Sequence, residues 1–112
     1  MPERDERLYL DDIVRAIDRI LGYTAEGRDA FFADSRTQDA VIRNLEVIGE
    51  AIRGVSPATR AHHPAVPWKQ IAGTRDRVIH GYFTVDLEIV WEIVEKELAE
   101  LRRLVAAMVE RP

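Results

Sequence analysis

The run Asp86-Leu87-Glu88-Ile89-Val90-Trp91-Glu92-Ile93-Val94-Glu95-Lys96-Glu97-Leu98-Ala99-Glu100-Leu101-Arg102-Arg103-Leu104-Val105-Ala106-Ala107-Met108 carries the strongest pattern in this chain. Trp91, Val94, Leu98, Leu101, Val105 and Met108 recur at alternating spacings of three and four residues. That spacing places them on one face of a helix about five turns long. Asp86 is a good N-cap for it, because a short side-chain oxygen can accept one of the free N–H groups of the first turn. Ile89, Ile93 and Leu104 lie beside the seam and widen the apolar face. A face this wide is more than one neighbouring helix covers.

The chain upstream supplies further helices. Leu10, Ile13, Val14, Ile17 and Leu21 share a helical face from about Glu6 to Leu21, with Gly22 as a plausible stop. Gly27 to Asp34 predicts a single helical turn that drops Phe31 and Phe32 onto the core. Ser35-x-x-Gln38 has the capping-box form and opens a second long helix, with Val41, Leu45, Ile48 and Ile52 on its apolar side. Gly54 and Pro57 close it. Ser56-Pro57 and Val66-Pro67 each predict a short helix with proline at its first position. A further short helix is predicted from Arg75 to His80, with Thr74 as N-cap and Gly81 just past its end. No alternating run is long enough to insist on a strand. The expected architecture is all-α: one domain over residues 1–112, an antiparallel up-and-down bundle of three long helices joined by short ones.

Composition narrows the chemistry. The 112 residues contain no cysteine, which removes disulfides, thiolate metal sites and thiol nucleophiles. The longest apolar run, Leu104 to Val109, is far below the ~20 residues of a membrane span. Residues 1–6 are charged and lack the apolar core of a secretory signal, so a cytoplasmic location is expected. Net charge is −4 but uneven. Residues 1–54 carry eight arginines against twelve acids, and residues 86–112 carry four basic groups against seven acids. Residues 55–85 instead carry Arg60, Lys69, Arg75 and Arg77 against Asp76 alone, together with His62, His63 and His80. A locally basic, His-bearing segment in an acidic chain suits an anionic ligand.

Within that segment Arg75 is followed after four residues by His80, and His80 after one residue by Tyr82. Arginine presents a planar, permanently charged fork to phosphate. Histidine exchanges protons near neutral pH. Together they suffice for RNA cleavage without a metal: the imidazole takes the ribose 2′-OH proton and the guanidinium stabilises charge growing on the phosphoryl oxygens. No carboxylate cluster sits nearby to hold Mg²⁺. On one continuous helix Arg75 and His80 would lie about 140° apart, whereas Asp76 and His80 would share a face. A helix end near His80, the reach of the arginine, or a second copy of the segment would close the gap. The wide apolar face of the last helix makes a symmetric dimer plausible. Arg77 can touch RNA or face solvent. Glu50, among apolar neighbours, can be a buried paired acid or a contact to this segment. Trp68, Trp91, Phe31 and Phe32 read as core. His62-His63 lacks a third ligand at zinc spacing and reads as a solvated pair.

The longer string Trp68-Lys69-x-Ile71-x-Gly73-x-Arg75-Asp76-x-x-Ile79-His80-Gly81-Tyr82-Phe83-x-Val85-Asp86 resembles the signature of HepT-like HEPN-domain proteins, as does Leu45-Glu46-x-Ile48-Gly49-Glu50-Ala51. The resemblance covers nearly the whole chain. It implies a small all-α homodimer, acting as the ribonuclease toxin of a toxin–antitoxin pair whose partner is a minimal nucleotidyltransferase antitoxin. It further implies that Arg75 and His80 are catalytic and that Tyr82 receives AMP from the partner. Asp76 stands where the family has a polar residue, often Asn, and joins them with a less defined role. Arg77 is assigned to substrate binding. No cofactor and no membrane are expected. The alternative from another class is a non-catalytic nucleotide- or partner-binding adaptor of a nucleotidyltransferase complex; a degraded relative that only dimerises is a third.

Overall fold

The computed structural model describes residues 5–80 and 84–110. Its first helix, α1 (Glu6–Tyr23), runs two residues past its predicted last residue, Leu21, through Gly22, and is capped at Thr24. The Thr24 hydroxyl donates back to the Ile20 carbonyl at 2.8 Å, which satisfies one of the free acceptors at the helix end. Ile13, Ala16, Ile17 and Ile20 have no solvent exposure. Burying each isoleucine is worth roughly 1.5–3 kcal/mol.

Gly27 then adopts φ +95°, a conformation glycine accepts without strain, and turns the chain into α2 (Arg28–Ala33). Phe31 is fully buried against Trp91, with ring centroids 5.4 Å apart. Phe32 is only half-buried and carries the Arg28 guanidinium 4.5 Å above its ring. It is thus partly a surface residue, contrary to the expectation of core.

The second long helix, α3 (Ser35–Ile52), starts at Ser35 as predicted but is capped differently. Asp34, not Ser35, is the N-cap: its backbone is extended and its carboxylate accepts from the Arg36 N–H at 3.0 Å. Gln38 does not reach back to a helix N–H. Its amide donates instead to the carbonyls of Phe31 and Phe32, at 3.0 and 3.2 Å, and ties α2 to α3. The capping box is therefore replaced by an aspartate cap, an equally favourable choice one residue earlier. Past the end of α3, Gly54 lets the chain approach α1 closely, since a Cβ there would fall 2.4 Å from the Tyr9 ring.

Short elements follow. In α4 (Pro57–His62) proline stands in the first turn, as predicted, and the Ser56 hydroxyl caps the Thr59 N–H at 3.2 Å. In α5 (Trp68–Ala72) Pro67 stands at the cap, one residue outside its predicted place. The Trp68 indole is buried and donates to the His63 carbonyl at 3.0 Å. Next comes α6 (Thr74–Val78), which ends two residues before His80. Ile79–His80 (β1) pairs antiparallel with Thr84–Val85 (β2), in the register Ile79↔Val85 and His80↔Thr84.

The final seam is split at Glu97 into α7 (Leu87–Lys96) and α8 (Leu98–Glu110). Glu97 has φ −114°, yet the backbone bonds Glu97 N–H to Ile93 O and Leu101 N–H to Glu97 O continue the helical ladder across it. All six seam residues are buried. Trp91 is among them and leaves its indole N–H without a partner among the described residues.

The result is an all-α bundle with one two-strand hairpin. α1 packs against α3 and α8, while α5 and α6 lie on α3. That packing seats the Arg75 segment on the outer face of α3. No described helix is long and apolar enough to cross a membrane.

Candidate active site

The residues singled out in the basic segment do not share one helix. Arg75, Asp76 and Arg77 lie on α6, whereas His80 lies on β1, because the chain turns extended at Ile79 (φ −106°, ψ 118°). The predicted helix from Arg75 to His80 is thus two residues too long. With it goes the angular separation expected around a helix, and the shared face expected for Asp76 and His80. The reason is local: Val78 fills the core as the last helical residue, and its carbonyl accepts the Asp86 N–H at 2.7 Å, which starts the hairpin.

Arg75 is exposed and borders a groove of about 280 Å³ between α3 and α6. Three arginines and two glutamates line this groove: Arg43, Arg53, Arg75, Glu46 and Glu50. Arg43 faces Glu46 at 3.8 Å, and Arg53 faces Glu50 at 3.3 Å. Among the described residues no ion pair or side-chain hydrogen bond engages the Arg75 guanidinium, so it is the uncompensated charge of the groove. Glu50 is exposed and paired with Arg53 on the groove wall, and is not the buried acid that its sequence neighbours suggested.

The next arginine is used differently. Arg77 forms a bidentate pair with Glu97, at 2.9 and 2.7 Å, and both side chains are about 30% exposed. Gln70 adds a third donor to the same carboxylate at 3.4 Å. The fork-to-fork geometry raises the Arg77 pKa through the hydrogen-bonded Glu97 carboxylate. It also fastens α6 to the junction of α7 and α8. A guanidinium held this way serves as a brace for the segment, and its geometry gives no support to a contact with substrate.

His80 is exposed, and its Nε2 faces Asp86 Oδ2 at 3.7 Å. Asp76 is exposed on α6, and among the described residues it lies outside ion-pair range of His80. Tyr82, the predicted acceptor of AMP, lies outside the described residues. His62 and His63 are exposed, and no group of three or more His, Asp or Glu that could hold a metal ion occurs among the described residues. A larger, mostly apolar groove of about 340 Å³ lies alongside, walled by Ile48, Ile71, Ile93 and Leu101 among others, and carries neither Arg75 nor His80. Arg75 borders the smaller groove, and Ile79, next to His80, lines it as well.

Sequence comparison extends this picture. Residues 13–108 match the family described as ribonuclease HepT-like. A protein of Thermococcus cleftensis named "Probable ribonuclease HepT" is 40% identical over 101 residues, covering 89% of this chain and 92% of that protein. A Methanocaldococcus jannaschii protein named "Putative RNase MJ0127" is 44% identical over 95 residues, covering 84% of this chain and 78% of that protein. A Caldanaerobacter subterraneus protein named "Putative RNase TTE0752" is 38% identical over 109 residues, covering 94% of this chain and 95% of that protein. No solved structure matches the chain significantly.

Proposed function

The chain belongs to the ribonuclease HepT-like family, and on that premise we propose that it is a metal-independent endoribonuclease built on Arg75 and His80. The observation that carries this reading is the uncompensated Arg75 guanidinium in a groove whose other arginines are each paired with a glutamate. A free fork on α6 and an exposed imidazole on the next element of the chain are the two groups that cleavage of a phosphodiester needs.

In the proposed reaction Arg75 grips the non-bridging oxygens of one phosphate. His80 takes the proton from the neighbouring 2′-OH. The O2′–P bond forms and the P–O5′ bond breaks. A 2′,3′-cyclic phosphate remains on one fragment, and the departing 5′-oxygen takes up a proton to become a hydroxyl on the other. The guanidinium is worth most as charge builds on the phosphoryl oxygens, which is differential stabilisation of the transition state. Asp76 follows Arg75 on the same short helix, and no ion pair joins the two among the described residues.

The chain acts, in this reading, as a toxin that works as a homodimer, with the second copy providing the other wall of the cleft. The dimer is carried by the family resemblance and not by the α7–α8 seam, whose six residues are buried within the chain itself. A nucleotidyltransferase antitoxin silences it by joining AMP to the Tyr82 hydroxyl, with pyrophosphate leaving. A nucleotide two residues from His80 places bulk and negative charge where the RNA backbone would sit.

Expression without the partner is expected to arrest growth, and co-expression with an active nucleotidyltransferase to restore it. Harmless expression of the unmodified chain favours the adaptor reading instead. Tyr82→Phe is expected to remain toxic in the presence of the partner and to show no AMP mass increment. An increment on that variant identifies another residue as the acceptor.

A further inference from the structure

Asp86 has a carboxylate whose two oxygens do different things. Oδ1 accepts the Ile89 N–H at 3.1 Å and caps α7. Oδ2 faces Nε2 of His80 at 3.7 Å. The Asp86 N–H meanwhile donates to Val78 O at 2.7 Å and closes the hairpin. The register explains the juxtaposition. His80 pairs with Thr84, so Asp86, two residues farther along the opposite strand, is its diagonal neighbour on the same face. One backbone N–H anchors this carboxylate, and a main-chain bond anchors the residue that carries it.

We infer that Asp86 is a positioning residue for His80: it holds the Nε2 edge of the ring and turns Nδ1 toward the substrate. The inference rests on the nuclease reading for its catalytic meaning, but the pairing stands on geometry alone. At 3.7 Å the contact is electrostatic and not a hydrogen bond, and an anion on that side favours the ring orientation that turns Nε2 toward it and leaves Nδ1 as the base. β1 packs chiefly against α6 and β2. β2 carries no charged residue, and α6 offers Arg75, Asp76 and Arg77, the last engaged by Glu97. Among the described residues Asp86 is the only carboxylate within ion-pair range of His80.

The test separates charge from capping. Asparagine caps a helix as well as aspartate does, so Asp86→Asn keeps α7 and removes the charge. Asp86→Glu keeps the charge if the cap proves essential. The His80 ring nitrogens are read by long-range 15N–1H NMR, assigned by their loss in His80→Gln, with His62 and His63 as internal references. Asp86→Asn is expected to move the His80 ring nitrogen shifts, and Asp86→Glu to leave them near their original values. In RNA cleavage the kcat of Asp86→Asn should fall several-fold with KM little changed. Unaltered His80 ring shifts in Asp86→Asn overturn the pairing. Altered shifts with an unaltered kcat overturn the positioning role. If the unsubstituted protein does not cleave RNA, the nuclease reading fails, and the ring shifts, which need no RNA, still decide the pairing.

Discussion

Cleavage of RNA by the His80→Ala protein is expected to fall by about 10²–10⁴-fold, the range spanned by loss of a positioned general base. His80 is exposed at the start of a hairpin and is not part of the hydrophobic core. Its removal therefore leaves the bundle and the proposed dimer intact, which a thermal melt and a sedimentation measurement check on the same sample. Retained cleavage with an unchanged melt removes the imidazole from the mechanism. The same substitution is expected to abolish growth arrest, since arrest depends on cleavage.

Arg75→Ala is expected to lower kcat by about 10²–10³-fold, as when a donor aimed at developing charge is taken away. It also removes one phosphate contact. The slope of log binding constant against log salt should therefore shrink by about 0.7 on single-stranded RNA. Arg75→Lys should rescue the slope and little of the rate, because an ammonium supplies the charge without the fork. The contrast with Arg77 gives the measurement its force. Arg77 is held by Glu97 in a half-buried bidentate pair, so truncating it acts on the attachment of α6 and should leave the salt slope unchanged.

The long helices were legible because each buries a repeating apolar face, and periodicity records burial directly. Ile13, Ile17, Val41, Leu45, Ile48 and all six residues of the final seam lie in the core as their spacing predicts. Asp86 was legible as a cap because the bond it makes spans three residues. Asp34 was passed over in favour of Ser35 since adjacent residues both had suitable side chains, and only the extended backbone at Asp34 separates them.

What escaped was tertiary or too short to leave a pattern. Two-residue strands carry no alternation, so the hairpin that takes His80 off the helix left no signal. Glu97 interrupts a seam whose hydrophobic spacing stays continuous across it. Arg77 finds its partner twenty residues away, and nothing local marks one arginine as a brace and its neighbour but one as free. The identity of the two candidate catalytic residues was legible through the motif. Their geometry was not, because it depends on where α6 stops and on which glutamates face which arginines across the groove.

The central claim is that Arg75 and His80 cleave RNA by internal attack of the 2′-hydroxyl, with no metal in the step. The direct measurement is the chemistry of the product ends, read by mass spectrometry after the purified chain has acted on a defined RNA in excess chelator. Fragments ending in 2′,3′-cyclic phosphate, paired with 5′-hydroxyl fragments and absent with the His80→Ala protein, are the predicted result. Fragments ending in 3′-hydroxyl, or cleavage that stops when divalent cations are removed, would contradict it.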